Sequence, residues 1–263
     1  MADPLHPLHG KRALVTGAGG VIGGWIARAL REAGASLCLT DVRADALDRF
    51  TPADLGPEGF IHQADIATSA GIADLCAALD TRWGAPDILV NNAGIYPSDF
   101  LLDTSDAEWD RIMGINLRTP FMLTRDVARL MIAHGRPGSV VNISSGGAKR
   151  ARRTSVVYCT SKVALDRLSE GFALELAEYG IRVNAIYPGF AAGSEVTALT
   201  EAHVQTVSGA NPMGRPTSFQ DLAGPLVFLC SDAAGYVTGA TLAVDGGGSA
   251  GVMTVFQDKK RAL

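Results

Sequence analysis

The stretch from Ser144 to Lys162, SSGGAKRARRTSVVYCTSK, holds the residue types best suited to moving a proton. Tyr158 and Lys162 stand four positions apart in YCTSK, so on a helix they share one face, a turn from each other. A phenol with an ordinary pKa of about 10 carries protons poorly at neutral pH. A neighbouring ammonium favours the phenolate and should draw that value toward the working range. Ser145 closes the apolar run SVVNISS and offers a hydroxyl to hold a substrate oxygen beside the phenol. Hydroxyl, phenol and ammonium together suit proton transfer to or from a carbinol or carbonyl oxygen. The pair alone is a weak signal, and its plain alternative is an exposed tyrosine beside a solvated lysine. Its weight depends on the elements that position it.

Those elements begin with RALVT (12–16), a short apolar strand that runs into the glycine turn GAGGVIGG (17–24). Beyond it, Ile22, Ile26, Ala29, Leu30 and Ala33 recur at helical spacing, and Gly34 is placed to stop the helix. In this strand–turn–helix setting Gly17 permits the turn. Gly20 lets backbone N–H groups approach a pyrophosphate, and Gly23 lets helix and strand pack closely. The next strand, SLCLT (36–40), ends at Asp41, where an acid accepts hydrogen bonds from adenosine ribose hydroxyls. A carboxylate there repels a 2′-phosphate, which predicts NAD(H) over NADP(H); Arg43 is the competing signal.

Further strands are expected at FIHQAD (60–65), ILVNNAG (88–94), IRVNAIYPG (181–189) and TLAVDGG (241–247), with helical stretches at 71–82, 106–134 and about 155–179. This alternation predicts an α/β chain, a single-domain, Rossmann-like, doubly wound parallel sheet with helices on both faces. Ligands of such sheets lie at the carboxyl ends of the strands, where Asp41, Asp65, Asn91 and Ser145 all fall.

The bulk numbers agree with one compact enzyme-like domain. The 263 residues are 47% apolar and 19% charged, and 30 glycines suit many strand-to-helix turns. A net charge of −4 argues against a general nucleic-acid binder. Cys38, Cys76, Cys159 and Cys230 form no C-x-x-C pair, which fits reduced thiols better than a disulfide framework or a zinc site; no metal is expected. The start, MADPLHPLHGKR, has no apolar signal region, and no apolar run reaches membrane-span length. The expectation is a cytoplasmic protein with a small-molecule substrate and neither nucleic acid nor membrane as partner. Residues 1–10 are expected to be a loose arm, with His6 and His9 solvated.

Taken together, TGAGGVIG (16–23), Asp41, Asp65, NNAG (91–94), Asn116 in MGINL, Ser145, Tyr158-x-x-x-Lys162 and PG (188–189) resemble the short-chain dehydrogenase/reductase family over about residues 11–248. The resemblance implies about seven parallel strands, a nicotinamide cofactor, a homotetramer and a catalytic tetrad of Asn116, Ser145, Tyr158 and Lys162. In such proteins the tyrosine is the acid/base and the serine steadies the reacting oxygen. The lysine tunes the tyrosine and binds the nicotinamide ribose, and the asparagine anchors a water of the proton relay. The spacing to Tyr158 in that family selects Ser145 over Ser144. By the same resemblance the cofactor meets Gly17, Gly20, Val21, Ile22, Gly23, Asp41, Val42, Asp65, Ile66, Asn92, Ala93, Gly94, Tyr158, Lys162, Pro188 and Gly189. Two departures stand out: the second glycine of the turn is Gly20, where many short members have it at the position of Val21, and Gly193 replaces a common threonine, with Ser194 as a substitute.

A third departure is the basic run GAKRARRTS, with Lys149, Arg150, Arg152 and Arg153 between the strand end and the catalytic helix. It is open to three readings. It is a solvated rim or subunit contact, a clamp for a substrate carboxylate, phosphate or sulfonate formed by Lys149, Arg150 and Arg152 with Ser145 and Tyr158, or a nucleic-acid patch. Residues 190–217 have little periodicity and are expected to form a substrate lid, with Phe190 and Met213 either touching substrate or packing. FQDLAGPLVFLCSD is a helix containing Pro225, and 249–263 is a tail. The expected function is an NAD-dependent oxidoreductase interconverting a secondary alcohol and a ketone. A 3-oxoacyl-carrier reductase, a non-catalytic NAD-binding regulator and a dehalogenase-like lyase are the alternatives.

Overall fold

The structure, a computed structural model, describes residues 6–193 and 200–251. Seven strands form one parallel sheet: β1 (Arg12–Thr16), β2 (Ser36–Thr40), β3 (Phe60–Ile61), β4 (Ile88–Asn91), β5 (Gly138–Ile143), β6 (Ile181–Pro188) and β7 (Thr241–Val244). Their order is β3-β2-β1-β4-β5-β6-β7, so the direction of winding reverses between β1 and β4. Splayed loops at such a reversal leave a crevice at the carboxyl ends of the strands.

The helices are α1 (Val21–Glu32), α2 (Pro52–Leu55), α3 (Ser69–Trp83), α4 (Asp106–Met113), α5 (Thr119–Ala133), α6 (Val156–Leu176), α7 (Glu201–Gly209) and α8 (Phe219–Cys230). Alternation along the strands divides the core in two. Ala13 and Val15 face α1 and α8 through Ile26, Leu30, Leu222 and Leu226. Leu14 faces the layer of α3, α5 and α6 through Leu75, Val127 and Ala173. Local signals set the helix ends: Thr68 and Ser105 cap α3 and α4, and Ser218 with Asp221 forms a capping box on α8. Among the described residues no helix is long and apolar enough to cross a membrane.

Four expectations change in detail. The strand predicted over 60–65 is ordered as a strand only at Phe60–Ile61, because β3 is a sheet edge with one neighbour; His62 and Ala64 still donate to Leu39 and Asp41 carbonyls. The helix predicted over 106–134 is interrupted by a π-helical turn at Gly114–Arg118. There the N–H of Thr119 bonds back to the Gly114 carbonyl, its hydroxyl donates to the same oxygen, and Pro120 removes the next donor. Residues 6–10 of the supposed loose arm are docked: Leu8 is fully buried and donates to the Ala33 carbonyl. The apolar Leu8 finds a place in the α1 core, which the two prolines before it conceal in the sequence. The span 190–217 contains a helix, α7, and its ends are tied by Thr217 N–H to the Phe190 carbonyl.

Candidate active site

The β1–α1 turn is fixed by what it excludes. Gly17 has φ +63°, and a Cβ there would fall 2.8 Å from Ala93 Cα. A Cβ at Gly23 would fall against the Gly17 carbonyl oxygen and 2.9 Å from Ala18 Cα. Gly19 is equally confined, 2.8 Å from Asp41 Oδ2 by the same construction, and its N–H donates to that oxygen at 3.0 Å. Gly20 differs: its position is open, and it caps α1 with no side-chain partner. The N-terminus of α1, with Val21 and Ile22 in its first turn, therefore presents free N–H groups toward the crevice.

Around this turn the other predicted cofactor residues assemble. Asp41 follows β2 and also accepts from the Arg43 N–H at 3.1 Å. Val42 is exposed beside it, and Asp65 and Ile66 lie in the turn before α3. The Asn92 side chain donates to the carbonyls of Thr16 and Gly17, while the N–H groups of Asn92 and Ala93 both donate to the Thr16 hydroxyl at 3.0 Å. Thr16 is thus the clasp between the turn and the β4 loop. A Cβ on Gly94 would lie 3.7 Å from Lys162 Nζ, so that loop borders the lysine. Pro188 ends β6, and a Cβ on Gly189 would strike Thr217 and sit 3.0 Å from Asp245 Cα. A cradle of excluded Cβ atoms, an open helix N-terminus and Asp41 at its far end fit a dinucleotide. Arg49 is a participant the sequence reading missed: its guanidinium lies across the turn, donating to Ala18 and Gly20 carbonyls.

The proton-transfer group stands where β5 and α6 meet. Ser145 caps a short 3₁₀ turn, and its hydroxyl accepts the Gly147 N–H at 3.0 Å. That hydroxyl is also bonded to the half-buried Tyr158 phenol. Lys162 is buried, donates to the Ile143 carbonyl at 2.8 Å, and holds its ammonium 5.9 Å from the centre of the Tyr158 ring. Asn116 is fully buried in the π-helical turn, where its side chain exchanges both hydrogen bonds with the Ile95 backbone and reaches Ser161. Tyr96 meets the Tyr158 ring edge-on. The structure thus brings Asn116, Ser145, Tyr158 and Lys162 together.

One electrostatic expectation is corrected. Burial pushes the Tyr158 phenol above its ordinary range, against the Ser145 hydrogen bond and the Arg152 guanidinium, which pull it down. Desolvation dominates, and Lys162 is not among the groups that lower it. Burial in turn draws Lys162 down to about 8, with Asp166 opposing.

The basic run is sorted by aromatic rings. Lys149 lies over Tyr187 and Arg153 over Phe100, while Arg150 reaches the Gly251 carbonyl at 3.4 Å. Arg152 alone of the four lies over Tyr158, 5.6 Å from the ring centre, among the described residues. Met213 is exposed, and Ser194 lies outside the described residues.

A reversal-point crevice, an excluding glycine turn and a Ser–Tyr–Lys cluster define the class of nicotinamide-using oxidoreductases. The comparisons agree. A family model described as enoyl-(acyl carrier protein) reductase matches residues 17–249. The chain is similar to sorbitol dehydrogenase of Cereibacter sphaeroides, 34% identical over 91% of this chain and 98% of that one. It is 35% identical to gluconate 5-dehydrogenase of Gluconobacter oxydans, over 94% and 98%. The solved RhlG/NADP active-site complex of Pseudomonas aeruginosa superposes with a TM-score of 0.87 at 32% identity, covering 94% and 99%. The chain belongs to the short-chain dehydrogenase/reductase family.

Proposed function

We propose that the protein interconverts a secondary alcohol and a ketone on a sugar or small hydroxy compound bearing an anionic group, with NAD(H) as cofactor. The observation that carries this reading is the Tyr158 phenol, bonded to Ser145 and set between the buried Lys162 and the outer Arg152. A nicotinamide held between the glycine turn and the Asn92–Gly94 loop would supply or accept the hydride at the carbinol carbon. Ser145 holds the substrate oxygen against the phenol, and Tyr158 Oη gives or takes its proton. Arg152 steadies the phenolate, and the buried Lys162 keeps a positive charge 5.9 Å from the centre of its ring. Asn116 keeps the Ile95 loop beside them. Because burial holds the phenol protonated, it suits proton delivery to a carbonyl at neutral pH and acceptance from a carbinol as pH rises.

NAD preference rests on Asp41, whose negative charge opposes a 2′-phosphate; Arg43, 3.8 Å from it, and Arg49 pull the other way. The relatives that act on sorbitol and gluconate support a polyol or sugar acid. The carrier-bound 3-oxoacyl reading is favoured by the description of the matching family model and by the exposed Phe100, Leu101 and Leu102 at the rim. Exposed Trp109, Phe121 and Leu174 support self-association, proposed here as a homotetramer and testable by light scattering. The deciding experiment follows NADH absorbance with polyols, sugar acids, sulfonated alcohols and a 3-oxoacyl thioester. Turnover of a carbinol that falls at least ~10³-fold in Tyr158→Phe, with cofactor binding intact, is expected. Equal turnover by Tyr158→Phe would end the reading.

A further inference from the structure

One ionisable pair, half-buried Asp166 and buried Tyr187, is not used by the chemistry above. Asp166 lies on α6 one turn beyond Lys162 and two beyond Tyr158, so phenol, ammonium and carboxylate follow one face of the helix. Its Oδ2 accepts the hydroxyl of Tyr187, a side chain 1% exposed near the end of β6. Its Oδ1 is buried with no hydrogen-bond partner among the described residues. An interior carboxylate oxygen left without a donor is costly unless nearby charge compensates it.

Two surrounding groups supply that charge, Lys149 from the loop before α6 and Lys162 from α6 itself, while the neutral Ser144 hydroxyl approaches from the end of β5. Tyr187 is in turn reached by Thr241 of β7 and by Glu170 of α6, while Lys149 Nζ sits 5.8 Å from its ring centre. Lys162, for its part, has lost its solvent shell and donates to a neutral carbonyl, and Asp166 is the acid that acts on it. Each site lessens the other's cost.

We propose that Asp166, pinned by Tyr187, is a positioning residue for the proton relay: its charge keeps Lys162 an ammonium inside the protein, and Tyr187 fixes the separation at which it does so. This rests on the reading of Tyr158 and Lys162 as the proton-transfer pair. It also gives Lys149 a task away from substrate, since its charge favours the ionised form of a carboxyl that burial pushes upward. Below the pH at which Asp166 takes up a proton, Lys162 loses this support.

The test has two arms. In the first, the protein is labelled with ¹⁵N-lysine, and the Nζ resonance missing from Lys162→Met is titrated without added nucleotide. The Lys162 midpoint should fall by about one pH unit in Asp166→Asn, by less in Tyr187→Phe, and should return toward wild type in Asp166→Glu. In the second arm, the pH profile of kcat/KM should lose its alkaline limb earlier by the same interval, with KM at neutral pH nearly unchanged. An unmoved midpoint in folded Asp166→Asn overturns the proposal; should that variant fail to fold, an unmoved midpoint in Tyr187→Phe does so. A shifted midpoint in Asp166→Asn, beside a wild-type protein that turns over no carbinol, would instead sink the proposed function. Normal turnover with an unmoved midpoint sinks only the role given to Asp166.

Discussion

The two halves of the crevice are built by opposite means. On the β1–β2 side the backbone itself makes the shape: Gly17, Gly19 and Gly23 sit where a Cβ would meet another chain segment, and Thr16 ties the turn to the β4 loop. On the β5–β6 side the shape is made by side chains. Arg152, Arg153 and Lys149 each choose a ring, and Tyr158 is held between cations. A steric site tolerates almost no change and needs no tuning. A side-chain site can be retuned one residue at a time, which is how one fold takes many substrates.

The sharpest break of this contrast comes from two glycines three positions apart. Gly23→Ala should cost about 3 kcal/mol or more, since its Cβ meets backbone that cannot move away. Gly20→Ala should leave stability almost unchanged, its nearest neighbour being the Gly17 carbonyl at 3.6 Å, yet weaken dinucleotide binding by narrowing the approach to α1. Thermal melts and cofactor titration read the two effects separately. Equal melting temperatures for both variants would show that the turn is not sterically locked.

Next in size is the cost hidden in the side-chain half. Lys162 has a folded pKa of about 8 against 10.5 for the free group. Between those values the unfolded chain binds more protons, so stability contributed through this group rises with pH across that window. Below about pH 8 the buried ammonium costs about 3 kcal/mol. Lys162→Met should therefore melt higher than wild type at pH 7, with the gap closing toward pH 10.5, while turnover collapses. A variant no more stable at pH 7 would mean that the ammonium is compensated where it lies.

The same division decides what could be read from the chain. The strands 12–16 and 36–40, the glycine turn and the Tyr158–Lys162 pair were legible because each depends on short-range order: an apolar run, a fixed spacing, a turn only glycine allows; Asn116 entered only through the family resemblance. Arg49 was not, because its guanidinium reaches the turn across 29 residues of sequence. Leu8 was hidden behind two prolines, and the π-helical turn at Asn116 emerges from Thr119, Pro120 and Ile95 acting together. The fates of Lys149, Arg150, Arg152 and Arg153 depend on three rings and one carbonyl supplied by four different segments. Spacing within the run carries no trace of them.

A smaller effect probes the seam between the halves. Asp41→Asn keeps an oxygen for the Gly19 N–H but removes the charge proposed to oppose an adenosine 2′-phosphate. Like charges brought together cost several kcal/mol, and Arg43 and Arg49 remain nearby, so the NADP:NAD ratio of kcat/KM should rise on the order of a hundredfold. A ratio unchanged by the substitution would place cofactor choice with the arginines.

The smallest predicted effect tests whether the outer half has been sorted correctly. If Arg152 faces substrate while Arg150 is spent on the Gly251 carbonyl, the two adjacent charges should behave differently despite their shared setting in sequence. Arg152→Ala should raise KM for an anionic hydroxy compound about tenfold, in line with the loss of one exposed charge-assisted contact. It should leave KM for a neutral polyol nearly unchanged. Because Arg152 also pulls the Tyr158 pKa down, its removal should move the limb of the oxidation profile on which the phenol ionises to higher pH. Arg150→Ala should do neither. Matching losses in both variants, on anionic and neutral substrates alike, would point to a general surface field and not a clamp. A KM effect without the pH shift would place Arg152 on the substrate but too far from the phenol to tune it, separating the two roles that one guanidinium over one ring now unites.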